Sequence, residues 1–106
     1  MKAVKVTPTG VRQVDVGWKW EDIVQLIGST PMTVFEGKAY IIIGSVKAML
    51  AERDYNPAAT ALFDGAVYGP VLVFGIRNKA WCDIRPETVK AVKTVFSERR
   101  KTYVNA

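Results

Sequence analysis

Histidine is absent from the 106 residues of this chain, and cysteine occurs once, as Cys82. The first absence removes imidazole chemistry: no histidine-based triad, no histidine-containing zinc site and no imidazole general base can be built. The second rules out any intramolecular disulfide and suits a reducing compartment. With Asp83 beside it and no imidazole to activate it, Cys82 reads as an inert packed thiol rather than a nucleophile. Long apolar stretches are missing too. The longest uninterrupted run covers residues 39–43, far short of the roughly 20 residues that a transmembrane helix needs. Residues 1–6 alternate instead of forming the apolar core of a signal peptide. Neither membrane insertion nor export is expected, and the expected location is the cytoplasm. Repeats, low-complexity tracts and linker-like segments are also lacking.

What is present has globular proportions, with 49% hydrophobic and 10% aromatic residues. This length and composition predict a single domain over residues 1–106, with a basic C-terminal end that frays from about residue 99. The net charge is +5 and is unevenly placed. Up to residue 76, Lys2, Lys5, Arg12, Lys19, Lys38, Lys47 and Arg53 balance Asp15, Glu21, Asp22, Glu36, Glu52, Asp54 and Asp64. The whole excess therefore lies in residues 77–106, where an electrostatic partner should be sought.

Residues 2–6 alternate in the strand period, stop at Thr7-Pro8-Thr9-Gly10, and alternation resumes over 11–16, with Val14 and Val16 on one face; this reads as a hairpin. Trp20, Ile23, Val24 and Ile27 then fall at helical spacing. The pattern predicts a helix over about 19–27, with Glu21 and Asp22 at its N-terminus and Gly28 as its stop. Segments 31–35 and 39–43 flank Glu36-Gly37-Lys38 and predict a second hairpin. Residues 45–53 fit either a helical turn, through Val46, Met49 and Leu50, or a loop. An Asn56-Pro57 turn, a short apolar segment and Asp64-Gly65 read as a loop delivering a buried strand over 67–76. Asn78-Lys79 turns that strand toward 80–82. Pro86 opens a last helix, with Glu87 beside it and Val89, Val92, Val95 and Phe96 as its buried stripe. The expected fold is α+β: a mainly antiparallel sheet of about six strands, with two helices packed on one face.

This order of features resembles a family of small domains of unknown function found in bacteriophages and mobile elements. The matching features are the strand ending at Pro8, the amphipathic helix with Gly28, the hairpin over 32–43, Asn56-Pro57-Ala58, the glycine-punctuated strand over 65–75 and the helix opening at Pro86-Glu87. The resemblance covers nearly the whole chain. It implies a viral accessory protein in the host cytoplasm, of a kind that commonly acts by binding host molecules.

Four groups of residues merit weighing. Arg85, Lys90, Lys93, Arg99, Arg100 and Lys101 could contact the phosphates of a nucleic acid. Their plainer role is a solvated helix face with cations near the C-terminus. Trp18 and Trp20, two positions apart, cannot share one helical face, so Trp18 is a packing residue or an exposed anchor. Arg53, Asp54, Tyr55 and Asn56, with Tyr68 and Arg77, could build a pocket in which Arg53, Asn56, Tyr68 and Arg77 hold an anionic ligand. The plainer reading makes Asn56 a turn cap and the tyrosines packing. Asp54 and Asp64 could meet as paired carboxylates, although nothing in their spacing suggests it.

The reading that follows is a non-enzymatic phage-type accessory protein, without cofactor or metal, that binds and neutralises a host factor. Its sharper form is sequestration of an anionic nucleotide-like signal. A nucleic-acid-binding protein using the basic C-terminal helix and a protein-protein inhibitor are the alternatives. Expected partners are a host small molecule or host protein, with nucleic acid and self-association also open and no membrane.

Overall fold

Alternating segments become strands, and periodic ones become helices, in the computed structural model, which describes residues 1–63 and 65–105, with side chains as far as Arg99. β1 (Lys2–Thr7) and β2 (Gly10–Asp15) form the first hairpin, paired from Lys2↔Asp15 to Thr7↔Gly10. Helix α1 (Trp20–Ile27) follows, then β3 (Pro31–Glu36) and β4 (Tyr40–Ser45) as the second hairpin. Two short helices, α2 (Val46–Ala51) and α3 (Pro57–Phe63), lead to β5 (Val71–Arg77), β6 (Ala80–Cys82) and the long α4 (Pro86–Asn105). The strands lie in the order β2-β1-β5-β4-β3, and every pairing is antiparallel. β1 pairs with the first half of β5 and β6 with the second, so β6 continues the row of β1. A backbone bond from Ile84 N–H to the Lys2 carbonyl, 2.8 Å, ties the two ends together.

The fold is therefore α+β on a six-stranded antiparallel sheet, as the pattern predicts. The helices differ from expectation: there are four among the described residues, and they occupy both faces of the sheet. On one face Val4, Val6, Ile42, Val71 and Val73 pack with Ala58 and Ala59 of α3 and Val92 of α4. On the other, Ala3, Ile41, Ile43, Leu72 and Phe74 pack with Ile23 and Ile27 of α1. The physical reason is in β4 and β5, whose runs Ile41-Ile42-Ile43 and Val71-Leu72-Val73-Phe74 are buried on successive residues. A strand apolar on both sides must be covered on both sides.

α1 starts where the Lys19 N–H donates to the Asp22 carboxylate at 3.3 Å and stops at Gly28, whose φ of 88° closes a bond to the Val24 carbonyl. Its buried stripe is Ile23 and Ile27; Trp20, expected among them, points into solvent. Residues 46–51 settle as helix, because the Ser45 hydroxyl accepts from the Ala48 N–H at 3.2 Å. Met49 is half-buried there and Leu50 exposed.

α3 lies where the sequence suggests only a loop. Asn56 is its N-cap and Pro57 its first residue, the pairing that opens helices. β5 also begins at Val71, later than the expected 67, because Gly69 and Pro70 interrupt the extended chain. Gly69 has a φ of 77°, and a Cβ there would lie 2.4 Å from that of Ala48. α4 continues as helix to Asn105, through the stretch from about 99 where fraying is expected. No helix among the described residues is long and apolar enough to cross a membrane.

Candidate functional site

All three tryptophans of the chain line one concavity. Gly17 and Trp18 come from the link between β2 and α1, Trp20 and Ile23 from α1, and Ala80 and Trp81 from β6; Met1 completes the wall of a cavity of about 410 Å³. The placement follows from topology. β6 lies end to end with β1, and the chain leaving β2 runs beside Met1, where the Val16 N–H donates to the Met1 carbonyl at 2.8 Å. Trp81 is the anchored member, stacked on core Phe74 with centroids 5.1 Å apart and planes at 26°. Trp18 and Trp20 are 78% and 56% exposed. Two indoles so exposed beside a third form an apolar surface that a folded chain ordinarily buries.

The residues proposed for an anionic pocket do not assemble as a group. Asn56 is fully buried, and its side chain is committed inside the protein. Nδ2 donates to the Val6 carbonyl at 3.1 Å and the Gly69 carbonyl at 2.9 Å, while Oδ1 accepts from the Ala59 N–H at 3.1 Å. It therefore cannot reach a ligand in solvent. Arg77 is exposed at the far end of β5 from Tyr68. A strand rises about 3.3 Å per residue, so the two are separated by most of the sheet's length. Tyr68 is half-buried and packs edge-on against Tyr55, 5.8 Å between centroids.

Of the four, Arg53 lines a cleft. That cleft, about 430 Å³, is bounded by Gly28 and Ser29 after α1, Ser45, Lys47 and Ala48 around α2, and Arg53 and Asp54. The Ser29 and Ser45 hydroxyls are hydrogen-bonded to each other. Glu52 and Asp54 hold φ of 50° and 60°, the left-handed region that non-glycine residues seldom occupy, and the loop is fixed by a 2.8 Å bond from the Gly69 N–H to the Asp54 carbonyl. Lys47 and the two serines escaped the sequence reading, because only the fold brings the end of α1 against the start of α2.

The basic C-terminal helix presents a third surface. Lys90 and Lys93 line a cleft of about 490 Å³ with Lys2, Gln13, Ile84 and Val89, between α4 and the β1–β2 hairpin. Arg85 is exposed just before α4, and Arg99 is exposed on it; the side chains of Arg100 and Lys101 lie outside the described residues. Cys82 is half-buried on β6. Asp64 lies outside the described residues, and with it the pairing with Asp54 that composition left open. No cluster of three or more metal-ligating side chains occurs among the described residues.

No protein-family model, no curated protein and no solved structure matches this chain.

Proposed function

We propose that the protein is a non-enzymatic binding protein that engages a host protein through the tryptophan concavity and neutralises it, in the phage-type setting its pattern resemblance implies. The observation that carries this reading is the exposure of Trp18 and Trp20 beside Trp81. Burying an indole is worth about 1.5–3 kcal/mol or more, so a surface that leaves two in water has its gain still to make in a complex. Tryptophans gathered around a pocket are the commonest anchors of protein interfaces. Because Trp18 and Trp20 contribute little to the core, Trp18→Ala with Trp20→Ala separates binding from folding. The double variant is expected to keep the wild-type melting temperature and lose host-protein capture at both low and high salt. Undiminished capture by the folded variant overturns the reading.

A second reading rests on the cleft of Lys47, Arg53, Ser29 and Ser45. Two cations and two hydroxyls around one cleft, which Asp54 also lines, suit the phosphate of an anionic nucleotide-like small molecule. Native mass spectrometry of protein purified from host cells, before and after mild denaturation, tests it. An added nucleotide-sized mass that is lost on denaturation, and absent from a Lys47→Ala/Arg53→Ala variant, is the expected result. A ligand-free mass counts against it.

A further inference from the structure

Among the described residues three strands of the sheet have an open edge, and β2 is the one that runs long and unbroken along it. β6 is three residues long. β3 opens with Pro31 and carries an irregularity between Thr33 and Phe35 that breaks its register. Short strands, prolines and bulges are the devices that keep edges from pairing. β2 has none of these three and carries only the charges of Arg12 and Asp15: its six residues pair with β1 without interruption and contain no proline.

The backbone groups of β2 that face outward follow from its register. Met1 and Val16 exchange both backbone bonds, the Met1 nitrogen donating to the Val16 carbonyl and the Val16 N–H to the Met1 carbonyl, each at 2.8 Å. Bonded and non-bonded pairs alternate along an antiparallel ladder. Val14, Arg12 and Gly10 therefore point their N–H and C=O groups toward β1, whereas Val11, Gln13 and Asp15 point theirs away from the sheet. The same alternation on β1 sends the groups of Lys2 outward, where its N–H meets the Asp83 carboxylate at 2.7 Å and its carbonyl meets Ile84.

We propose that β2 is a self-association edge, pairing antiparallel with β2 of a second copy about a two-fold axis through Gln13. An axis normal to the sheet keeps each face continuous, so opposed residues share a face and the outward groups must meet outward groups. Every register with a β2 residue on the axis satisfies this, but with any residue other than Gln13 there no more than two pairs within β2 exchange backbone bonds. With Gln13 on the axis, Gln13 meets its own mate and Val11 meets Asp15 of the second copy, in both directions, so three pairs exchange backbone bonds. With Arg12 on the axis, only Val11 and Gln13 pair in this way, and two guanidinium groups are set directly opposite, which is unfavourable. The sequence of β2 thus selects the first register. There Arg12 lies opposite the apolar Val14 of the second copy, and the clefts under α4, each lined by Gln13, come side by side.

Sedimentation velocity from micromolar to millimolar protein, with residue-resolved amide hydrogen exchange on the same samples, tests this. The mass is expected to double as concentration rises, with the amides of Val11, Gln13 and Asp15 becoming protected in step. Gln13→Pro removes an outward donor without removing a β1–β2 bond and is expected to weaken the dimer by about tenfold or more, because each copy loses a bond. Gln13→Lys, at an exposed position where folding is undisturbed, sets two ammonium groups opposite each other. It is expected to weaken the dimer about two- to fivefold, partly recovered by added salt. A monomer throughout the range, or a dimer in which those three amides exchange freely, overturns the proposal.

Discussion

Asn56 shows how a single polar side chain can hold three separate segments. Its amide reaches β1 through the Val6 carbonyl, the turn before β5 through the Gly69 carbonyl, and α3 through the Ala59 N–H. Each of these groups sits where water does not replace the bond. Asn56→Ala is therefore expected to destabilise the protein by about 3 kcal/mol, read by chemical denaturation, since it strands buried backbone groups as well as losing a helix cap. Gly69→Ala faces two obstacles together, a positive φ and a Cβ driven into Ala48. A loss of about 1–3 kcal/mol is expected in the same assay. The dipeptide Asn56-Pro57 was legible as a boundary, but its two meanings, turn and helix start, share the same residues. What separates them is the donor three residues on, the Ala59 N–H that Asn56 Oδ1 accepts from, which is in place only once the helix has formed.

At the scale of the element, α4 has a buried side and a basic one. Val92 is buried against α3 and the sheet, while Lys90 and Lys93 stand at the cleft toward Lys2 and Gln13. Val92→Ala is expected to cost about 2 kcal/mol by removing buried methyl groups. Lys90→Glu with Lys93→Glu is expected to change stability by no more than about 0.5 kcal/mol. If this face contacts phosphates, the same pair flattens the salt dependence of DNA or RNA binding, measured as affinity against salt concentration. The apolar stripe of α4 was legible because valines recurring every three residues gather on one side of a helix but scatter over both faces of a strand. In α1 the same logic placed Ile23 and Ile27 correctly and Trp20 wrongly. A count of apolar residues treats indole as core, whereas Trp20 stands 56% exposed at the start of α1 and lines the tryptophan concavity.

For the whole molecule, the sheet is a partition with a helical layer on either side; its first hairpin was readable from alternation, and β4 and β5 as apolar runs bounded by turns. The covering of both faces was latent in the unbroken apolar runs of β4 and β5, which a half-solvated sheet would not contain. The tryptophan concavity was not readable. Trp18 and Trp81 are far apart in sequence and meet only because β6 extends the row of β1. That surface carries the central claim, that this protein works by holding a partner against exposed indoles. The most direct measurement is quantitative host-protein capture by wild type and by Trp18→Ala/Trp20→Ala, at matched concentration and with melting curves recorded for both. The account predicts the same melting temperature and a loss of the captured partner by at least about tenfold, the scale on which anchor residues act. Equal capture by two equally stable proteins would contradict it.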